Sequence, residues 1–171
     1  ELSKIRKFKA SIPDWLDNLG YGELGELWEN EINAQNDKAP VVLRANRMLN
    51  NRNSLINALA KENIYAKPVS VLKDGIMLNE RADVFKTQAF KNGWFEVQDT
   101  SSQMVAELLK PKPGERVVDT CAGAGGKTLH IASLMQNKGQ IIALDIYQKK
   151  LQELKRRARR SKAFNIETRP I

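Results

Sequence analysis

Val117-Val118-Asp119-Thr120-Cys121-Ala122-Gly123-Ala124-Gly125-Gly126-Lys127-Thr128 is the stretch whose reading decides this chain. An apolar run ends in an acid, passes through a loop holding Gly123, Gly125 and Gly126, and opens into a helical pattern from Thr128 to Met135. Strand, glycine-rich turn and helix start, in that order, form a nucleotide-type site. The glycines let a ligand approach the backbone, and the helix start offers unpaired N–H groups at the positive end of its dipole.

Two stricter motifs nearly fit and fail. A phosphate-cradling P-loop requires glycine where the chain has Cys121, and a dinucleotide fingerprint starting at Gly123 requires one where it has Thr128. Downstream, Gln140-Ile141-Ile142-Ala143-Leu144-Asp145 reads as a second buried strand ending in an acid. Asp145 lies 19 residues after Gly126, about where a ribose-binding carboxylate follows the glycine loop. The spacing favours a Rossmann-like adenosine site, and a cofactor such as S-adenosylmethionine suits it. A degenerate P-loop stays open, because Ile141 to Asp145 also passes for a metal-coordinating strand end.

Working outward, the chain falls into three segments with boundaries at 1–38, 39–98 and 99–171. In the first, Ser11-Ile12-Pro13-Asp14 marks a helix start. Trp15, Leu16, Leu19, Leu24, Leu27, Trp28 and Ile32 continue a helical region to Asn36, broken near Gly20 and Gly22, with both tryptophans expected in a core. The second segment alternates strand and helix signals: a strand at Val41 to Ala45, a capped helix at Asn53 to Asn63, and a last strand at Trp94 to Val97. Between them, Val69 to Leu72 and Ile76 to Leu78 flank a Lys73-Asp74-Gly75 hairpin turn. Together these make a small α+β module. The third opens with a helix capped by Thr100 or Ser101 and carrying Met104, Val105, Leu108 and Leu109. It then alternates strands and helices, which predicts an α/β fold with a parallel sheet.

Composition bounds the partners. The net charge is +8 and the pI is near 9.6, which favours a polyanion, with nucleic acid foremost. From Lys149 to Lys162 the basic residues are Lys149, Lys150, Lys155, Arg156, Arg157, Arg159, Arg160 and Lys162, against the single acid Glu153. Leu151, Leu154 and Ala158 recur there at helical spacing, so one face packs and the others are either solvated or laid along an RNA backbone. No apolar run approaches the ~18 residues of a membrane span, and no leader pattern is present. One cysteine excludes an internal disulfide and fits a reducing cytoplasm.

From Gln98 to Asp145 the chain resembles the Nop/Sun family of RNA cytosine-5 methyltransferases, which includes bacterial ribosomal RNA methyltransferases B and F. The resemblance rests on Val97-Gln98-Asp99 with Ser102-Gln103, on Pro113-Gly114-Glu115-Arg116-Val117, on the D-x-C-A-x-x-G-G-K-T loop, and on Ala143-Leu144-Asp145. Upstream, Leu43-Arg44-Ala45-Asn46 resembles the family's L-R-x-N strand. The chain departs from the family at Gly123-Ala124, usually Ala-Pro, and at Lys150, usually Arg.

The resemblance implies N-terminal helices, an RNA-recognition-like α+β module, and the first half of a Rossmann-like S-adenosylmethionine-dependent methyltransferase domain. It implies that Cys121, Ala122, Gly123, Ala124, Gly125, Gly126, Lys127 and Asp145 bind S-adenosylmethionine, with Lys127 toward the carboxylate and Asp145 on the ribose. RNA, ribosomal RNA foremost, is the implied partner, with Arg44, Asn46, Lys155, Arg156, Arg159 and Arg160 as candidate contacts. No metal is implied.

In that chemistry a cysteine thiolate adds to C6 of cytosine, and the family's catalytic cysteines follow strands four and five. Cys121 lies in the cofactor loop instead, so the 171-residue chain is expected to hold the donor but not to catalyse. It is also expected to expose strand one as an open edge prone to self-association. A non-catalytic RNA-binding module and a P-loop NTPase fragment are the alternatives.

Overall fold

The computed structural model describes residues 5–171, which divide into one unit ending at Ala39 and a second spanning Pro40–Ile171. In the first, Pro13 stands extended ahead of α2 (Asp14–Leu24), following α1 (Arg6–Ala10) and preceding α3 (Leu27–Asn36). The break falls at Gly25, whose φ of +56° suits glycine, and not at Gly20 or Gly22. Gly20 stays helical for a packing reason: a Cβ there would lie 2.3 Å from the Trp28 ring. Trp28 is buried with Ala10 and Ile32, and its indole donates to Asp17 at 2.9 Å. Trp15 is 65% exposed, which corrects its expected place in a core.

The second unit opens as a β-α-β-β-α-β module: β1 (Val42–Ala45), α4 (Arg52–Ala60), β2 (Ala66–Pro68), β3 (Gly75–Leu78), α5 (Gln88–Lys91) and β4 (Phe95–Val97). Its sheet runs β2-β3-β1-β4, antiparallel throughout, the ferredoxin-like order. Leu43, Leu55, Leu59, Ile76 and Phe95 fill the core between sheet and helices. The hairpin forms with a shifted first strand. Pro68 pairs with Ile76, while Val69 to Leu72 makes the connection and Leu72 folds onto the bare Cα of Gly75. Asn51, rather than Asn53, caps α4.

Asp99 caps α6 (Thr100–Leu109) by accepting from the amides of Ser101 and Ser102, a role assigned by sequence to Thr100 or Ser101. Gln103 and Ala106 face inward, whereas Met104, Val105, Leu108 and Leu109 are all exposed. Then follow β5 (Arg116–Asp119), α7 (Gly126–Leu134), β6 (Gln140–Asp145), α8 (Gln148–Ser161) and β7 (Ile166–Pro170). The strands are parallel in the order β5-β6-β7, with Val118 opposite Ile142 and Ile142 opposite Glu167. Leu129, Ala132, Met135, Ile141, Ala143, Leu151 and Leu154 form the core beneath the glycine loop. Among the described residues, no helix is long and apolar enough to cross a membrane.

Candidate functional site

The loop between β5 and α7 is fixed from several sides by residues far apart in sequence. Asp119, the last residue of β5, accepts from the Thr128 hydroxyl at 2.7 Å and from the Cys121 amide at 3.3 Å, tying both ends of the loop together. Asp145, at the end of the neighbouring strand, accepts from the Gly123 amide and from the Tyr147 amide, each at 2.8 Å. The Tyr147 amide first, then the Gly123 amide and the Lys150 charge, hold the Asp145 carboxyl below its usual range against partial desolvation. Asp145 is thus ionised at neutral pH and nearly buried, with one N–H on each oxygen.

Two glycines are required here for different reasons. Gly125 has φ +88° and a Cβ on it would meet Leu154 Cγ at 2.6 Å, so both conformation and packing exclude a side chain. Gly123 has φ +54° and nothing within 4 Å of where a Cβ would stand, which leaves its face of the loop open to a ligand. Lys127 is exposed at the start of α7, whose first-turn amides lack intrahelical partners. An open backbone face, a helix N-terminus, an exposed ammonium and a buried carboxylate at the adjoining strand end fit an adenosyl cofactor bearing a carboxylate. Cys121 is exposed in the loop, and Ala122 is buried under it.

Arg44 and Asn46 correct the sequence reading, which placed them at an RNA surface. Both are buried, and their polar groups are taken by the chain itself. Arg44 donates to Gln98 Oε1 and, at 2.9 Å, to the Gly126 carbonyl. Asn46 donates to the Gly93 and Ser161 carbonyls at 3.0 and 2.9 Å. Burial pulls the Arg44 guanidinium down to about 10, partly offset by Glu96, so it keeps its charge at neutral pH. On α8, Lys155, Arg156 and Arg159 are exposed as expected. Arg160 is committed internally, with Nη2 2.6 Å from Glu96 Oε1 and its guanidinium 3.9 Å over the Phe90 ring.

Sequence reasoning counted Arg157 only within the basic run of α8, took His130 as a structural histidine, and did not single out Glu96. Arg157 donates to the Ala124 carbonyl at 2.9 Å and to Glu96 at 2.8 Å. The only sequence sign was its place beside Ala158 at the margin of the packed face of α8. Glu96 is an acid inside a short apolar strand, which is a weak signal for a buried anion. His130 sits with Asp74 and Glu107, their ligand-type atoms within 4.8 Å of one another. The Arg47 guanidinium is already paired with both carboxylates there.

A family model described as 16S rRNA methyltransferase RsmB/F matches residues 106–168, and one described as the RsmF/B-like ferredoxin-like domain matches residues 12–85. The chain belongs to the RsmB/F methyltransferase family. Ribosomal RNA small subunit methyltransferase B of Pseudomonas syringae pv. tomato is 33% identical over 151 residues, covering 88% of this chain and 34% of that protein. The protein of the same name from Proteus mirabilis is 36% identical over 150 residues, covering 88% and 35%. The RsmB/F-family chain therefore spans about a third of the length of the curated relatives it matches. A crystal structure of a methyltransferase homolog protein from Pyrococcus horikoshii superposes with a TM-score of 0.85 at 28% identity, covering 96% of this chain and 54% of that one.

Proposed function

We propose that the loop from Cys121 to Lys127, with Asp145, binds S-adenosylmethionine, and that the protein methylates C5 of cytosine in RNA, ribosomal RNA foremost. Asp145 carries this reading. It ends β6, holds the Gly123 amide, and keeps a second acceptor position on each oxygen for a pair of ribose hydroxyls. Lys127 would face the cofactor carboxylate, and the amides of the α7 start would line it. Bound there, the cofactor supplies an electrophilic methyl group. The relatives' names support an RNA substrate, and the resemblance of the loop motif supports cytosine C5.

Calorimetry with S-adenosylhomocysteine and with ATP tests the site, with binding of the first alone expected. Asp145→Ala should weaken S-adenosylhomocysteine binding about 10-fold or more, the effect of losing charge-assisted hydrogen bonds. Equal affinity in the variant removes the ribose assignment, and binding of ATP in place of the homocysteine compound restores the P-loop alternative.

In this reading the exposed Lys155, Arg156 and Arg159 run along an RNA backbone, adding affinity without choosing sequence. Cys121 is the single cysteine and belongs to the donor loop, so the 171-residue chain alone should transfer no methyl group. Labelled methyl appearing in ribosomal RNA incubated with this chain would overturn that.

The edge at β5 supports association with a second copy. Among the described residues β5 pairs with β6 only, and Val118 is 53% exposed on it. Sedimentation velocity at micromolar concentration should show dimers in equilibrium with monomers; a single monomer boundary at every concentration contradicts it.

A further inference from the structure

We propose that Arg44 and Arg157 are positioning residues for the donor loop, so that the ferredoxin-like module and α8 together set the shape of the cofactor site. The proposal rests on the reading of this loop as an S-adenosylmethionine site. Both guanidiniums reach loop carbonyls at 2.9 Å: Arg157 takes Ala124 and Arg44 takes Gly126. Neither belongs to the loop or to the strands flanking it. Arg44 comes from β1 and Arg157 from the middle of α8.

Each guanidinium is itself held from β4 or from the residue just past its end. Glu96 Oε2 accepts from Arg157 Nε and Nη2 at 3.1 and 2.8 Å, and Gln98 Oε1 accepts from Arg44. Glu96 lies on β4 and Gln98 follows its last residue, its amide still donating to the Val42 carbonyl, so the two side chains emerge on one face of the sheet. Arg44 lies opposite Glu96 in the β1–β4 register and shares that face. The opposite face carries Leu43, Ala45 and Phe95 into the module's own core. One face of the small sheet therefore packs hydrophobically, and the other carries Arg44 together with Glu96, the acceptor that holds Arg157.

The consequence for the loop follows from peptide geometry. In a trans peptide the C=O of one residue and the N–H of the next point in opposite directions. Drawing the Ala124 and Gly126 carbonyls toward the guanidiniums turns the next two amides the other way. The Gly125 amide closes a turn onto Ala122 at 2.9 Å. The Lys127 amide, in the first turn of α7, is left pointing outward as a donor. A loop with two glycines at positive φ has several alternative shapes, and these two anchors select one.

Hydrogen exchange and calorimetry on the intact 171-residue chain test this with Arg157→Met. Peptides covering 121–128 should exchange about 10-fold faster while those in α4 are unchanged, and S-adenosylhomocysteine should bind about 10-fold more weakly, as expected for one lost charge-assisted bond. Loop exchange and affinity both equal to the parent's would overturn the proposal, as would acceleration spread evenly over the whole chain. Should Arg157→Met not fold, Arg157→Lys keeps the charge beside Glu96 but loses the second arm to Ala124, and the same loop-specific acceleration is expected of it. A parent chain that binds no S-adenosylhomocysteine defeats the cofactor reading, and the exchange comparison still decides the positioning role.

Discussion

Replacing Glu96 by Gln should cost about 3 kcal/mol of folding stability, the order expected when one member of a buried charge cluster is neutralised. The Glu96 side chain is only 4% exposed and bridges two guanidiniums, with Arg157 and Arg160 at 2.8 and 2.6 Å. Arg44, on the neighbouring strand, draws part of its support from the same carboxylate. Removing that one anion leaves three cations clustered between the module sheet and α8 without their shared counter-charge. Glutamine keeps the size, so the loss is electrostatic and not a cavity effect. Urea unfolding of parent and variant measures it, and a difference below about 1 kcal/mol, the range of surface ion pairs, would show the cluster to be energetically superficial.

The second large effect is a loss of stability in mild acid traced to His130. Both ring nitrogens are buried without hydrogen-bond partners among the described residues, and Glu107 stands 3.7 Å away, beyond hydrogen-bonding distance. Burial first, then the Arg44 and Arg47 cations, pull the imidazole down to about 2. The folded chain therefore keeps His130 neutral at a pH where the unfolded chain, with an ordinary value of about 6.5, takes up a proton. Stability is present in full above pH ~6.5 and falls below it by about 1.4 kcal/mol per pH unit, or roughly 2 kcal/mol by pH 5.

His130 is the only histidine in the chain, so this window reports on it without competition from another imidazole. The carboxyl of Asp74, raised by burial, acts with the opposite sign. His130→Leu should flatten the profile between pH 6.5 and 5. A flat parent profile, or a slope that survives the substitution, would refute the assignment.

Local signals were read well because their causes are local. The glycine loop, the α7 start and the two flanking strands follow from residues adjacent in sequence, and Asp145 followed from its spacing to the loop. The four strands and first helix of the module were visible in the alternation of the middle segment, whereas the short α5 was not, and the hairpin formed with Ala66–Pro68 instead of Val69–Leu72. There Pro68 pairs with Ile76, and Leu72 closes the turn over Gly75.

Errors gathered where a polar side chain or an aromatic had two plausible environments. Trp15 and Trp28 stand in similar helical patterns, yet only Trp28 meets the bare backbone of Gly20 and the acceptor Asp17. Arg44 and Asn46 looked like surface residues because nothing near them in sequence could satisfy a guanidinium or an amide. Their partners are Gln98 and Gly126 for the one, and Gly93 and Ser161 for the other.

The sequence by itself determined the strand, the glycine loop and the acid at fixed spacing on which the proposed nucleoside pocket rests. Only the tertiary structure decided how that pocket is held. Arg44 of β1 lies 52 residues from Glu96 of β4 and 113 from Arg157 of α8, and these three meet at the loop with Gln98, just past β4. A buried charge is tolerable only where folding brings its partners to it, and no pattern along the chain records where those partners will be.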